Sequence, residues 1–284
     1  MTKFKIVVDS TVDLSDELLK IVDPYVVPLN VQLGEMTFKD YYEINADSLY
    51  VKMKELKAVP KTSAAAPGVI LEIFETLRDE GHTELLFLGI GSAFSATLQA
   101  ARLAAEDLKG VRVRLIDSHT LSSGSGLLVM RAHDLREEGK SLDEVADYLE
   151  QISVKSQAQF IVDNLDMLAA GGRVTGMKLF FGRILKAHPF LRVLDDKLVV
   201  VDTPKGKSER ALDRMLEEVY QDIKNGLESP RVFITHSHGG DRIDYIKSKL
   251  VQIMDEKDIY VTPAGAVISS HCGEGTIGVL YIKK

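Results

Sequence analysis

Residues 85–108, LLFLGIGSAFSATLQAARLAAEDL, decide the fold class. The first six form an apolar run of strand length, and Gly91-Ser92 supplies a turn. Phe94, Leu98, Ala101, Ala105 and Leu108 then recur at helical spacing. A buried strand that turns directly into a one-sided helix is the repeating unit of a parallel α/β sheet.

The same unit appears on either side. Residues 4–8 read as a strand running into Asp9-Ser10, and residues 111–116 as another running into Asp117-Ser118. Helical patterns cover about 122–138 and 141–155. In such sheets ligands lie beyond the carboxyl ends of the strands. From about residue 157 the texture changes. A strand at 159–162 precedes a Leu-rich helix that stops at Gly171-Gly172, and residues 189–194 and 197–201 pair as a hairpin through Asp195-Asp196. An amphipathic helix over 207–225 and strands at 231–235, 259–262 and 279–282 complete the chain. The fold expected is therefore α/β with two domains. Residues 1–160 form an N-terminal α/β/α domain with a parallel sheet, and residues 161–284 a C-terminal α+β domain with a mixed sheet, with the ligand between them.

Composition narrows the function. A chain of 284 residues, 45% of them hydrophobic, is long enough to bury two cores. A net charge of -7 argues against nucleic acid as a partner, because such proteins carry a basic face. The single cysteine, Cys272, forms no internal disulfide, and residues 4–8 follow the first residues with no signal-peptide pattern. A reducing, cytoplasmic location is expected. No apolar run reaches the ~18–20 residues of a membrane span, so a lipid handled by this chain has to be enclosed in solution.

Several segments carry polar groups that suit a ligand or a plain structural role equally. Asp9-Ser10 and Asp117-Ser118 stand at strand ends, where Asp and Ser more often cap helices and close turns. Thr62-Ser63 precedes Pro67, which suits a first helical turn; the hydroxyls either cap it or grip an anion. Ser92, Ser95 and Thr97 sit where strand meets helix, a common oxyanion site, yet no P-loop or dinucleotide glycine pattern is present. Gly171-Gly172-Arg173 is a helix end with an arginine that either meets an anion or complements the helix dipole. His236-Ser237-His238 is a weak metal pattern without a companion ligand cluster. His271 stands in a Gly-rich turn and either donates to a carboxylate or is an ordinary loop histidine. Ser95 as nucleophile with His271 as base would make a Ser-dependent hydrolase or phosphoester-acting enzyme, the alternative reading, although no Gly-x-Ser-x-Gly elbow supports it.

Taken together and in register, these segments resemble the DegV family, which includes the FakB fatty-acid-binding proteins. Val8-Asp9-Ser10 is similar to its Thr-Asp-Ser strand end, and Lys61-Thr62-Ser63 to the start of its Thr-Ser-Gln-Pro segment. Ser95-Ala96-Thr97 with Gln99 resembles Ser-Gly-Thr-Tyr-Gln, and Asp117-Ser118 the second strand end. Leu168 with Gly171-Gly172-Arg173 and His271 with Gly273 and Gly275 resemble the closing motifs. The chain departs from the pattern at Ala64-Ala65, Ala96, Leu98, His188 and Glu274. The resemblance implies a non-enzymatic carrier with no cofactor. It would hold one long-chain fatty acid, such as palmitate or stearate, in a tunnel between the domains. The carboxylate would be gripped by Thr62 and Ser95, with His271, Arg173, Ser63 and Thr97 close by. It further implies a fatty acid kinase catalytic subunit as partner, to which the acid is presented for acyl-phosphate formation in phospholipid synthesis. Phe180, Phe181, Ile184 and Leu185 are the expected apolar lining, or equally core residues at helical spacing.

Overall fold

The computed structural model describes residues 4–163, 165–173 and 187–284. In chain order its strands are β1 (Lys5–Asp9), β2 (Tyr25–Val27), β3 (Asn30–Leu33), β4 (Met36–Lys39), β5 (Lys61–Ser63), β6 (Glu84–Leu88), β7 (Arg112–Ile116), β8 (Ser156–Ile161), β9 (Phe190–Leu194), β10 (Lys197–Asp202), β11 (Val232–Ser237), β12 (Ile259–Pro263) and β13 (Thr276–Ile282). The α-helices are α1 (Asp16–Val22), α2 (Ala46–Leu56), α3 (Pro67–Asp79), α4 (Thr97–Asp107), α5 (Ser123–Glu137), α6 (Leu142–Ser153), α7 (Asp166–Gly171), α8 (Ser208–Asn225), α9 (Arg242–Leu250) and α10 (Ala266–Cys272).

The expected α/β plan holds. Strands β2-β1-β6-β7 form a four-stranded, wholly parallel sheet, and β10-β9-β8-β13-β11-β12 a six-stranded sheet in which only β11–β12 is parallel. Helices α3 and α4 cover the outer face of the parallel sheet, while α8 and α9 cover that of the mixed sheet. Between the sheets lie α1, α5 and α6, in one core with residues of both. Every residue from 123 to 130 is buried, as a helix enclosed on all sides requires. The β9–β10 hairpin turns through Asp195 (φ 47°) and Asp196 (φ 59°), the two left-handed residues that a tight hairpin turn demands.

A third, antiparallel sheet, β4-β3-β5, has no counterpart in the sequence reading. Its strands span three or four residues, too short for an alternating pattern to stand out. The expected division at 160/161 falls inside β8, all of whose pairing is to strands of the mixed sheet. We propose a boundary ahead of Ser156, which keeps each sheet whole.

Candidate functional site

A cavity of about 330 Å³ lies between the carboxyl ends of the parallel sheet and the inner face of the mixed sheet. Its volume is at the small end of ordinary ligand sites. Ile90 and Phe94 reach it from beyond β6, Leu121 from beyond β7, and Val267 and Ile268 from α10. Phe160, Leu198 and Leu280 supply the sheet floor. Along β13 the lining residues are Thr276, Gly278 and Leu280, the alternate positions that share one face of a strand. The expected lining residues Phe180, Phe181, Ile184 and Leu185 lie outside the described residues. Period-two reading of β13 was the signal that could have found part of the described wall.

Thr62, Ser63, Ser95, Arg173 and His271 all border this cavity, although they come from four separated segments. Thr62 is held by β5 pairing, opposite Val31. Its Oγ1 lies 2.7 Å from His271 Nε2, in the last turn of α10. His271 Nδ1 is buried and has no partner among the described residues. Burial, reinforced by the nearby Arg173 charge, pushes the imidazole down to about 4. The ring is therefore neutral at pH 7 and carries one N–H. A buried N–H without an acceptor is the costlier defect, so the proton belongs on Nε2, where it donates to Thr62 Oγ1. On that assignment Thr62 keeps its own O–H for an acceptor in the cavity.

The Gly171-Gly172-Arg173 turn has a steric explanation. A Cβ at Gly171 would stand 2.2 Å from His271 Nδ1, so only glycine lets the end of α7 lie against the ring. Gly172 takes the left-handed cap at φ 68°. Arg173 is exposed and donates to Gly171 O at 2.5 Å.

Ser95 and Thr97 form a pair, with their hydroxyls 2.8 Å apart. Thr97 is fully buried and does not border the cavity; it positions Ser95 from behind. Ser63 is exposed, and its Oγ accepts from Asn30 Nδ2 at 3.3 Å. The alternative hydrolase reading needs Ser95 against His271. In this structure Ser95 bonds to Thr97, and His271 to Thr62. Ala96 stands at φ -79°, so alanine is accommodated without strain where the family pattern has glycine.

Helix α10 is anchored by groups the sequence reading missed. Asp13 accepts from Gly265 N at 2.8 Å and from Ser122 Oγ at 2.5 Å. Asp40 accepts from Ala266 N at 2.9 Å and from Ser10 Oγ at 2.8 Å. Burial pushes Asp13 well above the usual carboxylate range and Asp40 up to about 6; their hydrogen bonds and the dipole of α10 act the other way. Asp9 closes the β1 end, accepting from Thr11 N and, at 2.9 Å, from Ile90 N, and Asp117 accepts from Ser92 N and His119 N. Both strand-end acids thus take the turn-closing role. Glu274 does not border the cavity; it pairs with His238 Nδ1 at 3.0 Å, while His238 Nε2 meets Asp47 at 2.6 Å.

A family profile described as an uncharacterised protein of the DegV family matches residues 3–284. A DegV domain-containing protein of Halalkalibacterium halodurans is 30% identical over 285 residues, covering 100% of both chains. Among solved structures, a DegV family protein from Thermus thermophilus, described by its fatty acid binding, superposes with a TM-score of 0.90 at 29% identity. DegV of Bacillus subtilis, described as a fatty acid binding protein, gives 0.89 at 25% identity. Both alignments cover 100% of each chain. Among the described residues, no helix is long and apolar enough to cross a membrane.

Proposed function

The chain belongs to the DegV family, and on that premise we propose that it carries one long-chain fatty acid in the cavity between its sheets, with the carboxylate held by Thr62 and Ser95. The observation that carries this reading is a largely apolar cavity that Thr62 and Ser95 both border, with the neutral His271 ring bonded to Thr62. The solved relatives described as fatty-acid-binding support it. A carboxylate leaving water loses several kcal/mol of solvation, which charge-assisted hydrogen bonds of roughly 1.5–3 kcal/mol each offset. The tail contributes about 0.8 kcal/mol per buried CH₂. Tail burial thus dominates affinity, and the hydroxyls fix the orientation.

The polar end opens outward. Ser63, Ala96 and Arg173 border the cavity and are exposed, and Ser95 and Ala96 also border a polar surface depression with Gln99, Arg102 and His119. An acid bound this way shelters its tail and offers its head. That arrangement suits a non-catalytic carrier in the cytoplasm that presents the carboxylate to a fatty acid kinase catalytic subunit, the partner that the family resemblance implies.

Native mass spectrometry of freshly purified protein tests the binding. A fatty-acid adduct removable by organic extraction is expected, and palmitate added back should raise the melting temperature. A bare chain with no thermal response to palmitate would sink the proposal. Loss of binding in a Thr62→Ala, Ser95→Ala double variant tests the assigned grip. Acyl-phosphate formation from ATP with a bacterial fatty acid kinase subunit tests presentation; no product with loaded carrier would remove the kinase partner.

A further inference from the structure

The cavity between the sheets holds a second set of hydroxyls. Thr235 and Ser237 of β11 and Thr276 of β13 border it on the mixed-sheet side, and all three are buried. They form one patch. Thr235 and Ser237 are alternate residues of a strand and so share a face. Ser237 pairs with Thr276 across the ladder, and Thr235 with Gly278, which adds no side chain. Thr62 and Ser95 belong to other elements, β5 and the loop ahead of α4, and bond to His271 and Thr97.

The protons of this patch can be placed. Ser269 Oγ donates to Ala264 O at 3.4 Å, since a carbonyl only accepts. Ser237 Oγ, 2.7 Å from Ser269 Oγ, then supplies the proton of that link, and Tyr50 Oη, 2.6 Å from Ser237 Oγ, the proton of the next. Among the described residues, Ser237 thus keeps one lone pair without a bond. Thr276 Oγ1 donates to Cys272 O at 2.8 Å and keeps its capacity to accept. Thr235 Oγ1 meets Ser123 Oγ at 2.5 Å and Thr262 Oγ1 at 2.9 Å, which leaves a third bonding position of its hydroxyl open.

A plain alkyl chain offers these oxygens nothing. Its methylenes carry no donor, and an acceptor buried without one loses the hydrogen bond that water gave it. A hydroxyl on the chain is donor and acceptor together. It matches a patch whose free positions are mainly acceptors, while Ile90, Phe94, Leu198 and Leu280 line the cavity for the rest of the chain.

We propose that the cavity is built for a long-chain fatty acid bearing a hydroxyl group on its chain, read by Thr235, Ser237 and Thr276. This rests on the fatty-acid reading above and names the class of acid.

The experiment titrates delipidated full-length protein with stearate and with 3-, 9- and 12-hydroxystearate, so that the hydroxyl samples the chain in either orientation. One isomer is expected to bind about 3- to 10-fold more tightly than stearate. Thr276→Val keeps the side-chain shape on β13 and removes an acceptor; it should lower the ratio of that isomer's affinity to stearate's by about threefold or more. Thr235→Val makes the same test on β11 and decides if the first variant fails to fold. A parent that binds stearate as tightly as every isomer, or ratios unchanged in the folded variants, overturns the hydroxyl reading and leaves the fatty-acid carrier standing. A parent that binds none of the four acids overturns the carrier, and this reading with it.

Discussion

His271 Nε2 lies 2.7 Å from Thr62 Oγ1, joining the last turn of α10 to the edge strand β5 across 209 residues of chain. The contact turns a solvent-poor histidine into a positioning group. It holds one hydroxyl in place, and burial keeps its own ring neutral.

Thr62→Val keeps the shape of the side chain and removes the hydroxyl. Its β5 backbone pairing with Val31 is unaffected. Losing a charge-assisted hydrogen bond of roughly 1.5–3 kcal/mol weakens carboxylate binding about 10- to 150-fold. Calorimetric titration with palmitate measures this, and an unchanged Kd would remove Thr62 from the grip.

The depressed pKa of His271 has a consequence for stability. The folded ring titrates at about 4 against an ordinary 6.5. Between these values the unfolded chain binds more protons, so stability rises with pH across the window and is fully present above 6.5. It is lost as pH falls toward 4, to an extent of about 3 kcal/mol. His271→Gln should flatten that slope; denaturant melts of both proteins from pH 4 to 7 check it, and parallel profiles would contradict the buried neutral ring.

Asp40 acts with the opposite sign. Its folded carboxyl titrates at about 6 against 3.8, so its contribution is fully present below 3.8 and is lost as pH rises to about 6. Relative to the parent, Asp40→Asn should gain up to about 3 kcal/mol across that interval, whatever offset the amide adds at all pH values. The same melts read the difference, and a flat one would show that Asp40 ionises as freely folded as unfolded.

Gly171→Ala tests the packing of α7 on His271. The added methyl falls 2.2 Å from Nδ1, so the ring or the helix end has to move, at about 1–3 kcal/mol of stability. Palmitate affinity should drop with it, read by the same titration. Ser95 is unaffected in its contact with Thr97, so retained affinity would show that His271 does not position Thr62.

The parallel strands β1, β6 and β7, the hairpin at Asp195-Asp196 and helices α4, α5, α6 and α8 were legible because each repeats a local rule over enough residues to be seen. Strands β3, β4 and β5 were not, since three or four residues carry too little periodicity. For the site, motif order along the chain pointed to Thr62, Ser95, Arg173 and His271, which the fold brings to one cavity. Local pattern could not say that Thr97 lies behind Ser95 and off the cavity wall. Nor could it pair Asp13 and Asp40 with the start of α10, residues more than two hundred positions away.

The sequence by itself determined which segments become strands and helices, and which polar groups stand at their ends, because those depend on neighbours within a turn or two. Only the tertiary structure decided which of those groups meet. The His271–Thr62 contact and the burial that keeps the ring neutral both depend on where distant segments pack. Desolvation and hydrogen-bond geometry are set by that packing, not by spacing along the chain.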